Sequence, residues 1–184
     1  MPQVSTDRQF DDVLRGCREI FIKKTGDYGT SWRVYRPISI ADQLYIKAKR
    51  IRNIQETGTQ KVDDDIAAEF RGILNYAVIG LIQLSLGNQE TEELDPREAA
   101  ELYDRQVARA KSLMEKKNHD YGEAWRDMSQ ESFADLILSK VLRIKQIVRN
   151  EGRTQISEGI DSNYLDILNY AAFALILSEH ITAS

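Results

Sequence analysis

The chain of 184 residues is 42% hydrophobic, carries a formal net charge of -4 and has a pI near 5.3, so it can build one compact domain or two small ones and has no electrostatic footprint for nucleic acid. Cys17 is the only cysteine, which excludes an intrachain disulfide, and His119 and His180 are too few for a histidine-rich metal centre. The opening MPQVSTDRQFDD lacks a basic and an apolar leader region, and no apolar run reaches the ~18 residues of a membrane span, so a reducing cytoplasm is the expected setting.

In chain order, the pattern predicts a first helix from about Asp7 to Lys24. It runs into the phrase KKTGDYGTSWR, which starts at Lys23. A second helix is expected from Ser39, where an aspartate three residues on gives a capping-box pattern. It carries Lys47, Arg50, Ile51 and Ile54 at helical spacing. A third helix covers roughly Asp65 to Ser85 and contains ILNYAVIGLI. The chain then repeats itself. Asp95, Pro96 and Glu98 signal the start of a helix from Pro96 to Lys117. KKNHDYGEAWR follows from Lys116 and shares seven of eleven positions with the first phrase. Ser132 opens the next helix, with Lys140 and Arg143 in the places of Lys47 and Arg50. The last helix, about Ile160 to His180, contains ILNYAAFALI. The copies align at an offset of 93, becoming 94 after a one-residue insertion.

This is a duplication. The expected fold is all-α, two tandem three-helix repeats packed as a pseudo-two-fold helical bundle. The repeats are residues 1–87 and 95–184, and together they form one compact domain. A three-helix unit buries too little surface to be comfortable alone, so the two copies would share a core. Fusion of an ancestral homodimer is a natural origin.

Candidate site residues repeat with the frame, and each has two readings. Asn75 and Asn169 sit among apolar neighbours, either as hydrogen-bonded core amides that fix register or as ligand-facing amides. Lys47 with Arg50, and Lys140 with Arg143, lie at the rim of an apolar stripe. They either snorkel to water or form a basic wall facing acids of the third helix or phosphates. Asp166 lies one turn before Tyr170, and Glu158 and Asp161 sit at that helix's start, where the helix dipole alone favours acids. Lys23 and Lys116, with their neighbours Lys24 and Lys117, end the first helix of each copy. Asp27 and Asp120 either cap a turn or meet a metal or a ribose hydroxyl. Trp32 and Trp125 either plug the core or, like Tyr121, offer a ring to a base, with the neighbouring lysine pair meeting phosphate.

The order K-x-x-D-Y-G, W, K-x-x-R-I, D-I-L-N-Y resembles the nucleotide modification associated domain, type 1, over nearly the whole chain. The resemblance implies a helical protein linked to nucleotide metabolism and supplies no established reaction. Its pattern falls on Asp120, Tyr121, Gly122, Lys140, Arg143, Glu158, Asp166, Asn169 and Tyr170. Repeat 1 departs from it, with Gly72 in the place of Asp166 and Asp64 in that of Glu158, while Glu69 lies one turn earlier on the third helix. The chain is more weakly similar to MazG-type pyrophosphohydrolases, but it lacks their E-x-x-E on the second helix.

Three functions follow as expectations. In the first, a Mg²⁺-dependent nucleoside triphosphate hydrolase holds metal on Asp120, Glu158 and Asp166. Its substrate meets Lys23, Lys47, Arg50, Asn75, Lys116, Tyr121, Lys140, Arg143 and Asn169. In the second, the same pocket binds a nucleotide without turnover. In the third, the bundle serves only as an interaction module. Neither a membrane nor a nucleic acid is expected as partner, and pairing into a homodimer is left open.

Overall fold

The computed structural model describes residues 5–58, 65–87, 92–152 and 159–182, with side chains to residue 179. Six α-helices appear among them, and no strand: α1 (Thr6–Tyr28), α2 (Pro37–Thr57), α3 (Ile66–Leu86), α4 (Pro96–Tyr121), α5 (Gln130–Arg149) and α6 (Ile160–Thr182). Asp65 caps α3 by accepting from the Ala68 amide at 2.6 Å, and Asp95 caps α4 by accepting from Arg97 at 2.8 Å.

Four boundaries differ from expectation. The helices α1 and α4 run one turn further, through Asp27-Tyr28 and Asp120-Tyr121, and stop at Gly29 and Gly122. Both glycines have positive φ, 64° and 62°, where L side chains are strained. Asp27 and Asp120 are thus last-turn helix residues and cap no turn. The helix α2 starts two residues before Ser39, at Pro37, which fits the first helical turn because it needs no N–H there. The cap of α5 is Ser129, whose hydroxyl accepts from the Ser132 amide. Asp42 and Asp135, expected at caps, lie inside their helices. A short 3₁₀ turn follows each first helix, Ser31–Val34 and Ala124–Asp127. Each turn delivers its tryptophan into the core, as expected, with Trp32 and Trp125 both buried.

The arrangement has a pseudo-two-fold axis. The strongest packing is α3 against α6, across the axis; α2 packs on α3 as α5 packs on α6, and α1 meets α6 as α4 meets α3. One apolar cluster draws on both repeats, from Phe10, Ile40 and Leu74 to Phe133, Ile144 and Leu168.

Ion pairs between the repeats obey the same symmetry. Arg18 meets Asp104 at 2.7 Å and Lys111 meets Asp11 at 2.9 Å. Arg52 meets Asp135 at 3.6 Å and Lys145 meets Asp42 at 2.9 Å. An offset of 93 turns the first member of each set into the second. A contact of i with j returned as j with i is the mark of an isologous dimer interface, here within one chain.

Two departures from the symmetry in the core have a chemical consequence. Tyr103 donates its hydroxyl to Asn75 Oδ1 at 2.7 Å. The residue matching Tyr103 is Phe10, which has no hydroxyl, and Asn169 Oδ1 is buried without a partner. Tyr164 lies over Gly80 so closely that a Cβ there would be 2.6 Å from the ring. The matching residues are Phe70 and Ala174.

Candidate functional site

In each repeat the last turn of the first helix, the 3₁₀ turn, the middle of the second helix and the start of the third converge. In repeat 1 they enclose a pocket of about 720 Å³, within the range of small-molecule sites. Its lining includes Lys24, Tyr28, Trp32, Tyr35, Lys47, Glu69, Arg71, Gly72, Asn75 and Tyr76.

The basic wall expected on the second helix does face acids of the third. Glu69, largely buried, accepts from Arg50 at 2.8 Å and pairs with Lys47 at 3.5 Å. Lys47 also lies 5.9 Å from the centre of the Tyr76 ring. In repeat 2 the acid is Asp166, gripped by Lys140 and Lys117, each at 2.9 Å. Arg143 is exposed on α5, close enough to Tyr170 to favour its phenolate. Burial is the larger influence on Tyr170, followed by the Asp166 charge, and the phenol is pushed up. Tyr76, its counterpart, is pushed up to about 12 by burial and by its neighbour Tyr35.

The asparagines serve the core first. Asn75 donates to the Cys17 carbonyl at 3.0 Å and accepts from Tyr103, so both ends of its amide are engaged although it touches the pocket wall. Asn169 donates to the Ala110 carbonyl at 3.2 Å, the matching bond. Both amides tie the third helix to the first, the register role of the two readings.

Several expected site residues stand elsewhere. Lys23 and Lys116 are exposed on the outer side of α1 and α4; their neighbours Lys24 and Lys117 face the site. Tyr121 is 73% exposed, and so lies at the rim at most. Asp120 is exposed and 3.2 Å from His119. Glu158 and Asp64 lie outside the described residues. No three His, Cys, Asp or Glu side chains gather among the described residues. Asp166 is paired with two ammonium groups and Asp120 is exposed beside His119.

Three groups in repeat 1 are missing from the expected substrate-binding set: Lys24, Arg71 and the Trp32 indole N–H. Lys24 was legible, because it follows Cys17 and Phe21 at i+7 and i+3 and so leaves the helix on their side, its own side chain exposed at the rim. The other two are buried donors. Trp32 Nε1 and Arg71 Nη1 have no hydrogen-bond partner.

The fold and site define a pseudo-symmetric, all-helical tandem-repeat protein with a cation-lined pocket. The chain belongs to the nucleotide modification associated domain 1 family, whose family model matches it twice, over residues 24–84 and 117–177. No curated protein and no solved structure matches the chain. No helix among the described residues is long and apolar enough to cross a membrane.

Proposed function

We propose that this is a cytoplasmic nucleotide-binding protein whose ligand enters the repeat 1 pocket. The observation that carries the reading is the pocket's lining, which sets the rings of Tyr35 and Tyr76, with Tyr28 exposed at the rim, beside the cations of Lys24, Lys47 and Arg71. Rings suit the faces of a base, and lysine and arginine suit phosphate. The family's description points to the same chemistry. Bound nucleotide would be oriented by the Lys47–Glu69–Arg50 cluster, in which one carboxylate holds two cations at the pocket's edge.

Hydrolysis with Mg²⁺ would need acids gathered on the substrate phosphates. The described residues offer Glu69 and Asp166, each already paired with two cations. The family match does not extend to MazG-type hydrolases. Binding without turnover is therefore the better supported reading, and no catalytic step is assigned.

A thermal-shift screen of ribo- and deoxynucleotides, each with and without Mg²⁺ and Mn²⁺, tests it. A ligand at a hundredfold excess over its Kd stabilises the native state by about 2.7 kcal/mol. The expected result is a shift for phosphate-bearing nucleotides that Lys47→Ala diminishes. A flat response across the panel would overturn the reading, and released pyrophosphate in a metal-dependent assay would replace binding with hydrolysis. Light scattering on the same samples reads whether two chains pair.

A further inference from the structure

The two repeats carry the same frame with different fillings. In repeat 2 the Asp166 carboxylate sits between Lys117 and Lys140, and the Trp125 indole N–H donates to Asn118 Oδ1 at 3.1 Å. At the matching places repeat 1 has Gly72 for Asp166 and Thr25 for Asn118. Thr25 does not replace the amide, since its hydroxyl donates back to the Phe21 carbonyl at 2.9 Å. Trp32 Nε1 is left buried with no acceptor.

The lysines are less closely paired than their counterparts in repeat 2. Lys24, which matches Lys117, has no ion-pair or hydrogen-bond partner among the described residues. Lys47, which matches Lys140, lies across Gly72, its Nζ 3.1 Å from where a Cβ would stand. It reaches Glu69 only at 3.5 Å. Repeat 1 also places Arg71 where repeat 2 has Leu165, and Arg71 Nη1 is the second buried donor without an acceptor. All these groups line one pocket. Trp32 Nε1 and Arg71 Nη1 are buried donors without an acceptor, Lys24 is an exposed cation at the rim, and Lys47 shares the Glu69 carboxylate with Arg50. Buried donors are normally satisfied, so two unmet donors around one cavity, with two lysines beside them, describe what the cavity is built to receive.

We propose that repeat 1 binds one acceptor-rich small molecule per chain, its anionic group taking the place that the Asp166 carboxylate holds in repeat 2. Repeat 2 fills its own site with Asp166 and Asn118. The inference rests on the nucleotide reading only for the planar body of the ligand; a monophosphate or carboxylate on any flat ring has the required chemistry.

Isothermal titration calorimetry of the full chain tests it, with a nucleoside 5′-monophosphate, the free nucleoside and phenyl phosphate as probes. Two variants are compared with wild type: Gly72→Asp, which recreates the repeat 2 filling, and Gly72→Ala, which adds a Cβ without a charge. Circular dichroism establishes that each variant folds. The expected result is one ligand per chain, with Gly72→Asp weakening the phosphate-bearing probes about tenfold or more and Gly72→Ala staying close to wild type. Lys24→Ala weakens the same probes and leaves the free nucleoside unaffected. Two ligands per chain, or equal losses in the two Gly72 variants, would overturn the inference while the nucleotide reading survives. Charge-dependent binding of phenyl phosphate with no binding of nucleotides would overturn the nucleotide reading and keep the inference. If no probe binds, both fall.

Discussion

Replacing Tyr103 with phenylalanine gives repeat 2 the residue that repeat 1 carries at the matching core position, Phe10. The substitution deletes a hydroxyl that donates to Asn75 Oδ1 at 2.7 Å, between side chains that are only 1% and 8% exposed. Asn75 keeps its bond to the Cys17 carbonyl, so it stays in place with an unmet acceptor. A net hydrogen bond is worth about 1 kcal/mol and a buried unsatisfied group costs about 1–3 kcal/mol. Because the pair is neutral and the amide keeps one anchor, a loss of about 1–2 kcal/mol is expected. In a chain of this size that lowers Tm by roughly 2–4 °C for each kcal/mol. Urea unfolding followed by circular dichroism measures it, with m unchanged. The reciprocal change, Phe10→Tyr, offers a donor to the orphaned Asn169 Oδ1 and is expected to raise the urea midpoint. A Tyr103→Phe protein as stable as wild type would refute the reasoning, because the core amide would then owe nothing to its cross-repeat partner.

Other expectations follow from burial and charge. Gly80→Ala gains about 1 kcal/mol of helix propensity but drives a Cβ to 2.6 Å from the enclosed Tyr164 ring. Overpacking of about 1–3 kcal/mol wins, and a lowered urea midpoint checks it. Tyr164→Phe removes a buried hydroxyl with no partner and is expected to leave stability unchanged or raised in the same measurement. Burial holds the Cys17 thiol up at about 12, so a thiol reagent at neutral pH should label it only as fast as the fold opens; prompt labelling of native protein would contradict the packing. The Tyr76 phenol is raised from 10.0 to about 12 in the fold. The stability it contributes is full below pH 10 and is lost as pH rises through 12, so Tyr76→Phe should flatten that alkaline decline in urea midpoints. Arg18→Ala removes an exposed ion pair and should change stability by less than about 1 kcal/mol.

The duplication was legible because whole phrases recur at a fixed offset, and a repeated apolar stripe leaves little freedom about which faces meet. Helix ends were less legible. The D-Y-G triplet reads as a turn, yet only its glycine leaves the helix, since Asp and Tyr have no reason to break α1 before a positive-φ residue is available. Pro37 outcompeted Ser39 for the start of α2 because a proline needs no donor in the first turn. The choice of Lys23 over Lys24 overlooked helical phase, which sets Lys24 with Phe21 and Cys17. The Asn75–Tyr103 bond could not be read at all, because it joins residues of different repeats and depends on a hydroxyl that the other copy lacks. The unmet Trp32 N–H is likewise invisible in one dimension: it follows from Thr25 turning its hydroxyl back to its own helix.

The cross-repeat ion pairs have opposite charges in every combination. Arg18 would find Asp11 in a pair of first repeats, and Lys111 would find Asp104 in a pair of second repeats. Charge therefore does not tell a half from its own twin. The core does. Two second repeats would set Tyr164 against Ala174, whose methyl stands where Gly80 leaves room. Two first repeats would set Phe70, which lacks the Tyr164 hydroxyl, over Gly80. The Tyr164–Gly80 pair acts as a knob and its hole, and it biases separated halves toward the mixed partnership. Severed between the repeats and mixed, the halves would find each other by shape.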